Sequence, residues 1–250
     1  GFGDVFLAHY DAAGTLTWVR QFGTASNESG DAVASDGAGG VFVGGASNGA
    51  LGGLSAGGMD AFVARYDAAG TRVWIRQFGT SDSDWVSGLA PDGGGGVMIT
   101  GPTSGTLAGP YTGSIDAYLT QYESAGNRVW IRQFGTTSSE YVHGVAVDGN
   151  GDIFVTGDTL GSLGGPSGGG QEVFLAKFNG SGVQQSVVQF GTVEWSNGRA
   201  VLSDGAGGVF LAGQTEGNLG APNPGIDDIF VARFGPACYV NCDWSTAPPI

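Results

Sequence analysis

Residues 60–66, DAFVARY, alternate with a period of two: Phe62, Ala64 and Tyr66 fall on one side, Ala61, Val63 and Arg65 on the other. That period is the pleat of a β-strand, and both sides of this one are largely apolar, so it predicts a strand covered on two faces. RVWIRQF, 72–78, follows after DAAG, whose Gly70 is free to take the positive φ of a tight hairpin turn. A polar loop leads to VSGLAPD, 86–92, then a GGGG turn and VMITG, 97–101. Four apolar runs punctuated by turn residues predict a four-stranded antiparallel sheet per unit. A long glycine-rich loop then leads to the next copy.

The pattern returns at an offset of 56 residues. Phe22, Phe78, Phe134 and Phe190 stand in register, as do Asp36, Asp92, Asp148 and Asp204, and so do the glycines at 45, 101, 157 and 213. Leu51, Leu107, Leu163 and Leu219 do the same. RVWIRQFGT is spelled identically at 72–80 and 128–136, with LTWVRQFGT at 16–24 and a worn QSVVQFGT at 185–192. Four copies are followed by a partial fifth from Asp228.

Sheets that need cover on both faces, repeated at constant period, are satisfied by stacking each copy between its neighbours around an axis. The expected fold is therefore all-β, a β-propeller of four-stranded antiparallel blades. The third strand should be innermost, because its small residue recurs as Ala32, Gly88, Gly144 and Ala200, as suits backbones converging on an axis. The strand bearing Trp18, Trp74 and Trp130, with Ser186 in the fourth copy, should be outermost. Seventeen strands are read along the chain, one more than four blades need. This leaves a four-bladed ring or a fragment of a larger propeller, and the surplus strand and missing initiator Met point to a fragment.

Composition sharpens the exclusions. Fifty of 250 residues are glycine without a Gly-X-Y period, and 41% are hydrophobic, so the chain can build a core. The longest stretch free of Gly and Pro, 114–125, is too short for much helix. A net charge of −14 repels nucleic acid and anionic lipid, and no apolar run reaches the roughly 20 residues of a membrane span.

The run DAFVARYDAAGTRVW, followed by FG and then by GVAVDGNGDIFVTG at 144–157, resembles the bacterial β-propeller repeats abbreviated SBBP, over residues 1–236. That resemblance implies an exported or surface protein and leaves its activity open. A quinoprotein-type propeller is the runner-up: Asp67, Gly70 and Trp74 keep its Gly-to-Trp spacing but hold Asp one residue too close. The tail after residue 235, PACYVNCDWSTAPPI, abandons the period and resembles the opening of the Cys-rich, dockerin-like tails of planctomycete-type exported proteins. The domain reading is thus repeats over 1–235 and a truncated tail over 236–250. The tail resemblance implies calcium ligands at Asn241, Asp243 and Ser245, with the closing Asp of the loop absent.

Candidate chemistry is sparse. Asp148, Asn150 and Asp152 match the first positions of a calcium loop, but Ile153 stands where its Gly is needed, and an Asp-capped turn explains all four copies. GLSAG, 53–57, matches a nucleophile elbow in letters only, since a glycine loop precedes it. Lys177 is the single lysine and follows no phosphate-binding loop. Cys238 and Cys242 lack further zinc ligands and read as a disulfide, with free thiols the alternative. Asp31, Ser87, His143 and Arg199 differ at one equivalent place on the innermost strand and are candidates for a channel mouth. Glu28, Asp84 and Glu140, with Ser196 in the fourth copy, precede that strand as a carboxylate ring or as solvated loop charges.

The expected function is a non-catalytic scaffold or binding module, secreted or at the cell surface, with a protein or polysaccharide partner and no nucleic acid. No cofactor is expected, calcium being the one ion left open. The rival class is a quinoprotein-like or carbohydrate-active propeller enzyme, which needs an asymmetric constellation of residues.

Overall fold

The computed structural model describes residues 3–220, 222 and 225–235; Cys238, Asn241, Cys242, Asp243 and Ser245, with the disulfide and calcium readings they carry, lie outside them. The described residues are all-β, in five antiparallel sheets arranged as propeller blades. Strands β1 (Val5–Tyr10) and β2 (Leu16–Phe22) form a hairpin. The first complete blade runs β3 (Glu28–Ser35), β4 (Val41–Ser47), β5 (Asp60–Tyr66), β6 (Arg72–Phe78). The second is β7 (Gly88–Pro91), β8 (Val97–Thr103), β9 (Asp116–Tyr122), β10 (Arg128–Phe134). The third is β11 (Glu140–Val147), β12 (Ile153–Thr159), β13 (Glu172–Phe178), β14 (Gln184–Phe190). A three-stranded sheet closes the series: β15 (Ser196–Ser203), β16 (Val209–Thr215), β17 (Asp228–Phe234).

The blades are out of phase with the units read from the sequence. Each complete blade takes its two inner strands from one unit and its two outer strands from the next, so the long glycine-rich loop lies inside a blade. It joins β4 to β5, which pair along their whole length from Val41↔Tyr66 to Ser47↔Asp60. The passage between blades is instead the short link after FGT. From Phe134 to Glu140 the chain reaches at most about 20 Å, enough for the about 14 Å of three interstrand spacings from outer edge to inner edge. A strand set at β17 also holds the edge that ring closure would have given to β1, and among the described residues no ladder joins β1 or β2 to the last sheet.

The inner strands β3, β7, β11 and β15 lie against one another, and small residues are required there. A Cβ on Gly144 would sit 3.3 Å from Val201 N and 3.4 Å from Ala200 Cα of the next blade. Between blades, the two faces of each strand go to two different cores. Phe62, Ala64 and Tyr66 pack with Val5 and Leu7 of the preceding hairpin, whereas Ala61 and Val63 pack with Ile99 and Tyr118 of the following blade.

The structure also explains the repeated phrase WxRQFGT. Trp18 Nε1 donates to Ala68 O at 3.1 Å, and Arg20 Nε donates to Gly70 O at 2.6 Å, so both reach forward to the DAAG turn of the next hairpin. Gly70 there has the expected positive φ of 72°. Trp74 and Arg76 treat Ser124 O and Gly126 O the same way, at 2.9 Å each. Gln77 Nε2 holds Gly49 O, and its Oε1 accepts from Leu51 N and Gly52 N, pinning the root of the long loop. Phe22 meets Phe62 edge-on at 86° and tilts over Tyr66, an arrangement repeated by Phe78, Phe134 and Phe190. In the fourth copy Ser186 and Val188 replace Trp and Arg, and the sequence after Phe234 no longer spells the DAAG turn they would hold.

Candidate functional site

Thr in that phrase works with the acidic residue four positions on. Thr136 N and Oγ1 both donate to the Glu140 carboxylate at 2.7 Å, and Thr159 Oγ1 adds a third bond at 2.8 Å. Glu28 is held likewise by Thr24 and Ser47, and Asp84 by Thr80. Ser196, in the fourth copy, shares a hydrogen bond with Thr215. All four are buried, which overturns the reading of them as solvated loop charges. Each carboxylate folds its own crossing link, because a link buried between blades needs acceptors for its amides. Burial pushes the Asp84 carboxyl above its ordinary value; the bonds from Thr103 and Thr80 only partly offset this, and neighbouring Asp60 raises it further.

The position occupied by Asp31, Ser87, His143 and Arg199 has a structural identity that the sequence did not reveal. Strands β3, β11 and β15 each carry a register shift there, between Gly30 and Ala32, Val142 and Gly144, and Gly198 and Ala200. Asp31, His143 and Arg199 are thus bulge residues, left out of the ladder and re-aimed. The opposing glycine makes the bulge possible. A Cβ on Gly157 would lie 2.0 Å from Tyr141 O, where no atom fits, and Gly45, Gly101 and Gly213 face the equivalent carbonyls as closely.

The four residues meet different surroundings. Asp31 and Arg199 are exposed, and Asp31 accepts from Ser29 Oγ at 2.9 Å. Ser87 is half-buried and donates to Val142 O of the next inner strand at 2.6 Å.

His143 is joined by copy-specific side chains. Its Nε2 lies 2.7 Å from Asp158 Oδ1, and the imidazole keeps 24% of its surface while Asp158 keeps 1%. Gln171 Nε2 donates to the other Asp158 oxygen. Asn197, from the inner strand of the next sheet, places its Nδ2 3.5 Å from His143 Nε2. Its own Oδ1 is buried without a hydrogen-bond partner among the described residues.

The equivalents of Asp158 in the other copies are Ala46, Pro102 and Gln214, and those of Asn197 are Ser29, Trp85 and Tyr141. Both positions differ in every copy, so the repeat itself gave no sign of this cluster and sequence reasoning missed it. The bond from Nε2 to a buried carboxylate fixes the orientation of the ring.

Asp148, Asn150 and Asp152 form the β11–β12 turn. Asp148 Oδ1 accepts from Asn150 N and Asp152 N at 2.9 Å each, and Lys177 Nζ lies 2.7 Å from Asp152 Oδ2. Asp36, Asp92 and Asp204 cap their turns by the same pair of amide bonds. Residues 53–57 are loop. Among the described residues no three His, Cys, Asp or Glu side chains are grouped to hold a metal ion, and no helix is long and apolar enough to cross a membrane.

Comparison with known proteins finds several partial likenesses. The chain is 32% identical over 169 residues to the regulatory protein FlaEY of Caulobacter vibrioides, a match covering 60% of this chain and 18% of that protein's length. Among solved structures it resembles a protein of unknown function from Bacteroides caccae, at 11% identity and a TM-score of 0.47, covering 84% of this chain and 65% of the other. A luciferin-regenerating enzyme gives 12% identity and a TM-score of 0.44, with 93% and 71% covered. The model of the Beta-propeller repeat family, SBBP, matches residues 129–164, the segment from β10 through β12 that carries His143 and Asp158.

Proposed function

We infer that this chain is a non-catalytic binding module that acts outside the cell or on its surface, presenting loops and one polar inner-edge site on a stiff propeller frame. The division of labour among its residues carries this reading. Side chains repeated in every copy, such as Gln77 and Phe78, are engaged in holding blade to blade and loop to blade. Copy-specific side chains gather at His143, Asp158 and Asn197. Long-loop tips such as Leu54 stand fully in solvent above pinned roots. A rigid frame with local variation suits recognition, since ordered loops lose little entropy on binding.

The partner class is a protein or a polysaccharide, and an extracellular setting rests on the likeness of the repeat to exported proteins. A relative named for regulation fits binding better than turnover. This reading calls on no cofactor, and the amide bonds to Asp148 account for its place in the turn. A glycan array followed by titration calorimetry tests the reading: binding without product release is expected, weakened at least tenfold in His143→Ala.

The His143–Asp158 pair is the observation from which an enzymatic reading would start. Release of reducing sugar from a glycan, or absorbance of a bound quinone, would replace the binding module with that reading. A rise in melting temperature with calcium would show a metal-dependent adhesin instead.

A further inference from the structure

Asparagine is followed by glycine four times, at Asn48, Asn150, Asn179 and Asn197. In such a pair the glycine amide nitrogen is tethered within reach of the asparagine carboxamide carbon, and the missing side chain leaves the backbone free to turn towards it. Two of these nitrogens are engaged and a third lies in a ladder. Gly49 N donates to Ser47 Oγ at 3.0 Å, and Gly151 N donates to Asp148 O at 3.1 Å. Gly198 lies within β15, paired with Gly213, and follows an Asn197 that is buried. Gly180 differs: it is exposed in the turn between β13 and β14, and its N holds no hydrogen bond among the described residues.

Two further features single out this turn. Asn179 Oδ1 accepts from Ser181 N and Val183 N at 3.0 Å each, so two N–H groups point at the oxygen that gains negative charge when the carboxamide is attacked. The turn also lacks a clamp that its counterparts have. Trp18 and Trp74 donate to Ala68 O and Ser124 O; the equivalent acceptor in the third blade is Gly180 O, yet Trp130 Nε1 is buried without a partner among the described residues.

We propose that Asn179 is a site of covalent self-modification, deamidated by its own backbone with water as the reagent. Gly180 N attacks Asn179 Cγ and the N–Cγ bond forms. The Cγ–Nδ2 bond breaks, and the proton of Gly180 N passes through solvent to the departing nitrogen, which leaves as ammonia. Water then opens the cyclic imide at either carbonyl, giving aspartate or isoaspartate with no change of oxidation state. Aspartate is what the first two hairpins already carry: Asp11 Oδ1 and Asp67 Oδ1 accept the same pair of amide bonds, so this product keeps the turn. Isoaspartate adds a carbon to the main chain just before Ser181 O and Gly182 O, which Arg132 of the preceding blade holds at 3.1 and 3.0 Å. That product loosens the junction between the second and third blades.

The test ages the whole folded chain at pH 8 and 37 °C and maps its peptides by mass spectrometry. The peptide holding Asn179 should convert first, into an aspartate and an isoaspartate form, at least about fivefold faster than those holding Asn48, Asn150 and Asn197. In urea, where the turns are gone, the four should convert at similar rates. Gly180→Ala installs the residue found at Ala12 and Ala68, and its Cβ would meet Gly151 O at an ordinary 3.4 Å; it should fold as wild type and stop conversion at Asn179. Asn179→Asp should keep the wild-type melting temperature, while aged wild-type protein falls below it as isoaspartate accumulates. Faster conversion at any of the other three sites overturns the proposal, as does the same order of rates in urea or undiminished conversion in Gly180→Ala. Aged protein that melts like fresh protein overturns the loosened junction.

Discussion

Trp18 covers Gly70 so closely that a Cβ on the glycine would come within 2.6 Å of the indole, and the same indole donates to Ala68 O two residues earlier. Gly70 thus serves two purposes, a positive φ and room for the preceding blade's Trp. Gly14, in the equivalent turn of the first hairpin, has a φ of 79° and nothing within 4 Å of its would-be Cβ. Gly14→Ala should therefore lose only the left-handed backbone penalty, about 1 kcal/mol. Gly70→Ala should lose about twice that or more, because Trp18 and Arg20 are displaced as well. Urea unfolding compares them, and equal losses would mean that the Trp contact contributes nothing to joining the blades.

Asp36 gives stability one direction of pH dependence. Burial pushes its carboxyl up, but the Arg65 hydrogen bonds, the amides of Ala38 and Gly40 and the Arg65 charge outweigh this and leave it below the ordinary 3.8. A folded value below the unfolded one stabilises the protein above the unfolded value, and that contribution is lost as pH falls through the folded value. Replacing Arg65 with Met should destabilise the protein at pH 6 and matter progressively less below pH about 4. Unfolding free energies of both proteins from pH 2 to 6 check this; a constant difference would assign the effect of Arg65 to packing on Phe42 rather than to Asp36.

Asp84 has the opposite sign. Its folded value lies above 3.8, chiefly through burial, so its favourable contribution is complete below the unfolded value and disappears as pH rises through the folded one. At neutral pH it faces Asp60, whose Oδ1 is also buried without a partner among the described residues. Asp84→Asn keeps an oxygen for Thr80 and adds N–H donors towards Asp60. The variant should melt higher than wild type at pH 7 and lose that advantage at pH 3, as read by calorimetry. A gain of the same size at both values would rule out ionisation as its source.

The period of 56 residues, the strand types and the placing of small residues inside and Trp outside were all legible, because each follows from apolar alternation and side-chain volume. The phase of the blades was not. Alternation says where strands lie but not which gap is a hairpin, and the pairing of β4 with β5 depends on a loop rooted by Gln77, a contact 26 residues away. Glu28 and Glu140 were misread for a similar reason: an acidic residue before a strand is usually solvated, and only the Thr four positions earlier marks these as buried acceptors. The His143 site needed both kinds of information. A bulge cannot be seen in spacing alone, and Asp158 and Asn197 come from two other strands.

His143 and Asp158 should be energetically coupled. Asp158 is buried, and His143 and Gln171 are its side-chain hydrogen-bond partners across the inner edge. Removing His143 leaves a buried carboxylate short of a donor, whereas removing both partners removes that penalty. A double-mutant cycle of His143→Ala and Asp158→Ala should give a coupling of about 1–2 kcal/mol. Asp31→Ala, at the equivalent exposed bulge, should be nearly neutral. Additive losses at 143 and 158 would reduce the pair to mere proximity.

Gly157 is the residue on which the aim of His143 depends. It pairs with Val142 immediately before the bulge, and its would-be Cβ falls 2.0 Å from Tyr141 O and 2.8 Å from Val142 Cα. Both are backbone atoms, so no side-chain rotation can relieve the clash and β11 itself must move. Gly157→Ala should therefore cost about 2–3 kcal/mol, the upper range for overpacking a filled core. Gly165→Ala, with nothing within 4 Å of its Cβ, should cost little. Because Asp158 is the next residue, the displaced strand should also abolish the His143–Asp158 coupling when the double-mutant cycle is repeated in the Gly157→Ala background. A folded Gly157→Ala protein that retains the full coupling would show that the bulge is held by something other than the missing side chain.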